Sequence, residues 1–316
     1  MKLTKNIKQI KGDASFRLFY RNKKKNSSSI IVYAKKDKKL NLLIYDAINK
    51  ILIKNKILAP KLLGQNYKNN YIEVEDFGDH TLNKVLNYKK TNKELTFNKI
   101  LKTLYKLQSI KDRHILNFKS KKYKVTKYND KILIDEANLF CEWYTPRKLN
   151  NFKNQIFKKN YQREVKKLLL KLNFENNTFV HRDFHISNLI YFNNNIAVID
   201  SQDAVYGNKA YDLASLIDDV RFKTSKKLKS KILNYYLKKL KKIEIKKFIN
   251  DFEILSVLRN LKIIGIFMRL ALRDNKKKYK KMIPYAWELI NYRMKKNSEF
   301  KNLKLILKSN FPKFIN

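Results

Sequence analysis

Asp183 and Asn188 stand five residues apart in Val180-His-Arg-Asp-Phe-His-Ile-Ser-Asn188, and Asp200 closes the apolar run Ile196-Ala-Val-Ile that follows. An acid five residues before an amide, with a second acid at the end of the next strand, suits phosphoryl transfer. In that chemistry one carboxylate takes the proton of an attacking hydroxyl. The amide and the second carboxylate hold Mg2+, which neutralises the β- and γ-phosphates. The spacing alone is a modest signal. Two flanking apolar runs make it a strong one, because they predict a loop between a strand ending at Val180 and a hairpin starting near Leu189. The hairpin turn, Asn193-Asn-Asn195, accepts left-handed conformations readily. The bland alternative, Asp183 capping a turn and Asp200 merely ending a strand, is outweighed by that combination.

The neighbouring polar residues read differently. Asp212, in Ala-Tyr-Asp-Leu-Ala, stands where a helix begins and reads as a structural dipole partner. His181 reads as packed and holding the loop, since no Cys or carboxylate cluster supports a metal role. His185 either faces an acceptor or fills the loop. Residues 11–21 carry neither a Gly-x-x-x-x-Gly-Lys loop nor a full Gly-x-Gly-x-x-Gly run, so Lys35, with Lys36 close behind, is the candidate strand lysine for the α/β-phosphates.

These residues need a scaffold. Residues 15–21 alternate polar and aromatic, 22–29 give a polar turn and 30–35 resume a β-branched run, which predicts a hairpin. Leu40, Leu43, Ile44, Ala47, Ile48, Ile51 and Leu52 recur at helical spacing, and Tyr71-Ile-Glu-Val-Glu75 predicts a strand leading into Asp76-Phe-Gly78. Beyond Asp79 the pattern is mostly helical, with predicted helices over 95–107, 131–143, 161–172, 210–221, 225–241, 245–272 and 282–294. The expected fold is α+β and two-lobed, with a small β-rich N-terminal lobe over 1–76 and a larger, mostly helical lobe over 77–316. Gly78 falls at the expected hinge, and Gly207 in a turn expected to need a positive φ.

The 316 residues carry a formal net charge of +45. Lys, Asn and Ile are over-used together and Lys appears in every helix, which reads as compositional drift rather than a nucleic-acid-binding patch. No specific nucleic-acid partner is expected. A single cysteine, Cys141, rules out an internal disulfide. The N-terminal residues lack a signal-peptide core, and the apolar stretch 254–272 carries Arg259, Asn260, Lys262 and Arg269, too polar for a bilayer span. A cytoplasmic protein without a membrane partner is expected; the sequence leaves the oligomeric state open.

With these residues assembled, the chain resembles the aminoglycoside phosphotransferase superfamily, which has a protein-kinase-like fold. Within it, the chain is most similar to the anomeric kinases of N-acetylmuramate and N-acetylglucosamine. Gly12-Asp-Ala-Ser-Phe-Arg17, Glu75-Asp-Phe-Gly-Asp79, Glu142-Trp-Tyr144, the 180–188 and 199–207 segments, and Leu258 to Arg269 followed by Arg273-Asp274 carry the resemblance. It implies an ATP- and Mg2+-dependent kinase with Asp183 as base and Asn188 and Asp200 as metal ligands. By the same resemblance Ser15 and Arg17 lie over the phosphates, and the hinge at Glu75, Asp76 and Phe77 meets adenine. Glu142, Trp143, His185, Arg259 and Arg269 are candidates for contacting a small sugar, in a role belonging to peptidoglycan recycling. A different acceptor (choline, homoserine or an aminoglycoside) and a weakly catalytic nucleotide- or nucleic-acid-binding protein on the same scaffold are the alternatives. Asp200 is followed by Ser201 where an aromatic residue is common in the family.

Overall fold

The computed structural model describes residues 6–10 and 17–315, so Gly12 and Ser15 lie outside the described residues. The first elements are β1 (Ile7–Ile10), β2 (Leu18–Lys23), β3 (Ser28–Tyr33), α1 (Leu40–Lys54), β4 (Leu62–Asn66), β5 (Tyr71–Glu75), α2 (Leu82–Asn87) and α3 (Lys93–Ser109). Next come β6 (His114–Leu116), β7 (Lys122–Lys124), α4 (Asp130–Leu139), α5 (Asn151–Leu170) and β8 (Thr178–Val180). The hairpin β9 (Leu189–Phe192) and β10 (Asn195–Val198) precedes β11 (Val205–Gly207). Last are α6 (Tyr211–Ile217), α7 (Lys226–Leu237), α8 (Lys242–Leu272), α9 (Ile283–Met294) and α10 (Lys301–Asn310).

The chain groups into two compact units, Met1–Thr126 with His181–Val205, and Lys127–Val180 with Tyr206–Asn316. This grouping runs across the expected break after residue 76. The physical reason is local: Phe77 packs with Ile190 and Ala197 of the β9–β10 hairpin, and Val198 N donates to Leu58 O at 2.8 Å. The hairpin that leads to Asp200 is thereby tied to the sheet-bearing unit.

In the first unit an antiparallel sheet has the order β1-β2-β3-β5-β4. β5 buries Ile72 and Val74 and turns its alternate residues outward, the period-2 signature of a half-buried strand. Val32 opposes Ile72 across the ladder. One face of α1 covers them, joining Leu42 and Tyr45 to Val32, Ala34, Ile72 and Val74 in one core.

In the second unit α8 runs for 31 residues and is buried along most of its length. No helix among the described residues is long and apolar enough to cross a membrane. Rings of Phe140, Tyr144, Phe157, Trp287 and Phe311 meet edge-on, stacked or tilted beneath it. The helix predicted over 131–143 stays α-helical only to Leu139 and continues as a π-turn over Phe140–Tyr144. The one predicted over 161–172 begins ten residues earlier, where the Asn150 side chain accepts from Lys153 N at 2.9 Å and caps it. Gly207 corrects an expectation: Gly78, with φ +78°, is the described glycine that needs a positive φ. Gly207 lies in β11, where an added Cβ would come within 3.2–3.3 Å of Tyr128 and Val180. Close approach selects that glycine.

Candidate active site

The chain leaves β8 at Val180 and returns in β9 at Leu189, and the loop between is held by its own polar atoms. Arg182 takes a left-handed backbone, φ 71°. Asn188 Nδ2 donates to Asp183 O at 3.0 Å, and Ile199 N donates to Asn188 O at 3.0 Å. These two bonds fasten the loop carrying Asp183 to the strand that delivers Asp200. His181 is fully buried, with Nε2 3.2 Å from Ile199 O, a third tie between the same segments. Burial pushes its imidazole below the usual pKa, partly offset by Asp183 and Asp200, so it stays neutral and hydrogen-bonds as a donor. Asn193 and Asn194 at the hairpin tip have φ 44° and 61°; Asn tolerates that conformation where β-branched residues do not.

Asp200 follows β10 in a left-handed conformation, φ 64° and ψ 38°. That geometry turns its carboxylate out of the strand direction, to meet the buried guanidinium of Arg17. Arg17 also donates to Gln202 Oε1 at 2.7 Å and lies 5.4 Å from the Tyr45 ring centroid. Burial pushes the Asp200 carboxyl above the usual range, with Arg17 pulling the other way. Burial likewise pushes the Tyr45 phenol up to about 12, so it is a neutral wall beneath the guanidinium.

Among the described residues no group of three or more His, Cys, Asp or Glu side chains could hold a metal. Mg2+ asks for less: one or two protein oxygens, with water and phosphate oxygens completing the shell. Asn188 has committed its amide nitrogen to Asp183 O, and the Asp200 side chain is 31% exposed. An amide oxygen and a partly open carboxylate are hard donors that fit this ion.

Lys35 is the clearest correction. β3 ends at Tyr33, Ala34 is buried in the core, and Lys35 turns outward, exposed, before a 3-10 turn over Lys36–Lys38. It is not on the strand, and the cation beside Asp200 is Arg17. His185 is 5% exposed, with Nε2 3.4 Å from Asn188 Nδ2. At the hinge the Asp76 side chain is engaged by Arg21 at 2.6 Å, Ser28 at 2.8 Å and Gly78 N at 2.8 Å. Phe77 is buried edge-on against Phe192, so both side chains are engaged within the first unit. Glu75 ends β5 half-buried.

Four candidates and Asp212 belong to the second unit. Glu142 is exposed and Trp143 half-buried on the π-turn, a helix irregularity common where side chains serve a site. An added Cβ on Gly265 would lie 2.3 Å from Leu139 O, so that glycine lets α8 approach the start of the π-turn. Arg259 is buried, Arg269 half-buried, and Asp212 is buried in the first turn of α6.

Sequence reasoning missed Gln202, and it missed Asn49, which accepts from Ser201 Oγ at 2.6 Å and donates to Pro60 O at 3.0 Å. A signal existed for Asn49: it is polar yet continues the apolar stripe of α1 one turn after Tyr45. It also missed Arg21, which shares Arg17's face of the first hairpin at period-2 spacing.

Residues 6–244 match the phosphotransferase enzyme family. The chain is 28% identical over 286 residues to the N-acetylmuramate/N-acetylglucosamine kinase of Neisseria meningitidis serogroup B, covering 89% of this chain and 82% of that protein. It is 28% identical over 285 residues to the Pseudomonas putida enzyme of the same name, with 88% and 80% covered. Among solved structures, a Plasmodium vivax ethanolamine kinase superposes with TM-score 0.61 at 16% identity, covering 93% of this chain and 83% of that one. An ADP-bound aminoglycoside phosphotransferase superposes with TM-score 0.60 at 16% identity, covering 92% and 95%. At such identities the structures speak for the protein-kinase-like fold, while the match over 6–244 is decisive for kinship: this chain belongs to the phosphotransferase enzyme family and is a small-molecule kinase.

Proposed function

We propose that the protein transfers the γ-phosphoryl group of ATP to the anomeric hydroxyl of N-acetylmuramate or N-acetylglucosamine. The observation that carries this reading is the stitched loop, in which Asn188 bonds the Asp183 backbone while its own carbonyl receives Ile199 N from the strand before Asp200. Asp183 accepts the acceptor hydroxyl's proton. An anomeric hydroxyl is more acidic than an ordinary alcohol, so a carboxylate is an adequate base. Asn188 and Asp200 would hold Mg2+, which supplies charge neutralisation on the phosphates when bound. Arg17, fixed by Gln202 and Tyr45, grips phosphate oxygens in the place expected of a strand lysine. The backbone over 75–77 receives adenine. The relatives' names support this acceptor class, and the same reading places the protein in the cytoplasm, in peptidoglycan-sugar recycling. The buried Cys141 thiol, pushed up to about 12 by burial, takes no part.

The test is ADP release from Mg-ATP with N-acetylmuramate, N-acetylglucosamine, choline and kanamycin, with phosphorus NMR locating the new phosphate on C1. Turnover is expected with the two acetylated sugars, and Asp183→Ala should lower kcat by about 10²–10⁴-fold. Turnover of choline or kanamycin alone would replace the acceptor. No turnover with any of the four would end the proposal.

A further inference from the structure

Asn49 breaks the apolar stripe of α1. Leu42, Tyr45, Ile48 and Leu52 around it are buried, and Asn49 itself is 2% exposed. An amide that deep is costly unless its atoms are bonded, and a leucine would continue the stripe at no such cost. Its Oδ1 accepts from Ser201 Oγ at 2.6 Å, and its Nδ2 donates to Pro60 O at 3.0 Å. Leu58, two residues before Pro60, receives Val198 N and bridges Ala197 in β10. One amide therefore joins α1, the segment leading into β4 and the turn that follows Asp200.

That turn is pinned on both sides of Asp200. Ile199 N is bonded to Asn188 O before it, and Ser201, fully buried, is bonded to Asn49 after it. The same face of α1 carries Tyr45, one turn earlier, beneath the Arg17 guanidinium at 5.4 Å. A buried neutral hydrogen bond contributes little net stability, so hydrocarbon at both positions would serve the fold as well. What the bond adds is direction: its fixed length and angle set where the turn lies, which apolar packing does not. We infer that Asn49 is a positioning residue, acting through Ser201 to aim the Asp200 carboxylate at its metal. The inference rests on the metal-ligand reading of Asp200 proposed above, and every residue it invokes lies in the first unit.

The metal's contribution is isolated by the ratio of two affinities. A non-hydrolysable ATP analogue is titrated into the full chain by calorimetry, once with Mg2+ and once with EDTA. Ser201→Ala, which deletes a single oxygen, should lower the ratio of Mg2+ to EDTA affinity by about tenfold, as losing a group that orients a metal ligand does. Asn49→Leu should lower it equally, and the double variant no further, because the two act through one bond. A scaffold role would weaken both affinities together or move only the melting temperature, and the ratio would stay within about twofold. That result overturns the inference, and so does a double variant whose loss is the product of the two single ones. Asp200→Asn separates the two readings. If it collapses the ratio while Ser201→Ala leaves it unchanged, the metal reading stands and the positioning role falls. If it leaves the ratio unchanged too, the metal reading falls and the inference falls with it. Should Asn49→Leu fail to fold, Ser201→Ala decides alone.

Discussion

Asp200 and Asp218 are two enclosed carboxylates, each facing an arginine, and they could hardly be built more differently. Asp218, in the second unit, is 0% exposed and each of its oxygens is bonded twice. Arg293 reaches both at 2.7 and 3.1 Å, Lys229 reaches Oδ1 at 3.1 Å and Ser256 donates to Oδ2 at 2.6 Å. Burial alone would raise this carboxyl, but Arg293 and Lys229, with the hydrogen bonds, outweigh it and hold it below the usual range. Asp200, in the first unit, has one cation, a partly open side chain and a raised carboxyl. A carboxylate whose every lone pair is used is scaffold. One left with an open face is available to a ligand, and the difference lies in the partners, not the residue type.

The sharpest way to break that contrast is to neutralise each in turn. Asp218→Asn leaves Lys229 and Arg293 buried without their counter-charge and should cost about 3–5 kcal/mol in urea unfolding. Asp200→Asn should cost clearly less, because water reaches its side chain, while abolishing Mg-ATP turnover. Equal losses would mean that both acids are scaffold. The pH dependence has a definite sign. Asp218's folded pKa is depressed, so its contribution is complete above the unfolded carboxylate value, near pH 4. It is lost as pH falls through the lower folded value. The gap between wild type and Asp218→Asn should therefore be flat from pH 7 to about pH 4 and shrink below. A gap that shrinks already between pH 7 and 5 would overturn the assignment.

A smaller effect separates the two candidate phosphate-gripping cations. Arg17→Met removes the charge beside Asp200 and should weaken Mg-ATP binding, read by calorimetry, by roughly tenfold to hundredfold. Lys35→Ala removes an exposed side chain outside β3 and should change it by no more than about twofold. The reverse ranking would return the phosphate contact to Lys35.

That pair also marks where sequence reasoning stopped. The loop that carries Asp183 and Asn188 and the hairpin that leads to Asp200 were legible because the spacing is local and the flanking runs are apolar. The Asn193–Asn195 turn and β5 were legible for the same reason: periodicity and turn chemistry act over a few residues. Arg17 meeting Gln202 spans 185 positions, and no local pattern records such a meeting. Lys35 looked right because a β-branched run led up to it, but the strand ends two residues earlier, after Tyr33, where Ala34 tucks into the core. Gly207 looked like a turn residue for want of its neighbours, since Tyr128 lies far away in sequence. The helix over 131–143 had the right period and the right face, yet periodicity cannot distinguish an α-turn from the π-turn that displays Glu142 and Trp143.

Backbone handedness gives the finest comparison between the two acids. Asp200 has φ 64°, where a Cβ crowds the following carbonyl and only glycine escapes the penalty, about 1–2 kcal/mol. Asp218, at the end of α6, has φ −106°, which any residue adopts. Replacing each acid with alanine and with glycine removes the carboxylate in both cases and leaves only this term. At 200 the glycine variant should be more stable than the alanine one by about 1 kcal/mol. At 218 the order should reverse, because glycine there adds only unfolded-chain entropy. Chemical denaturation of the four variants reads the two differences directly. Opposite signs would mean that the position of the Asp200 carboxylate is set by a strained backbone as well as by Arg17, so the fold holds that acid in place at a conformational cost. Equal signs would mean that the turn after β10 relaxes when the acid is gone, and that Asp200 itself, through Arg17, imposes the left-handed geometry.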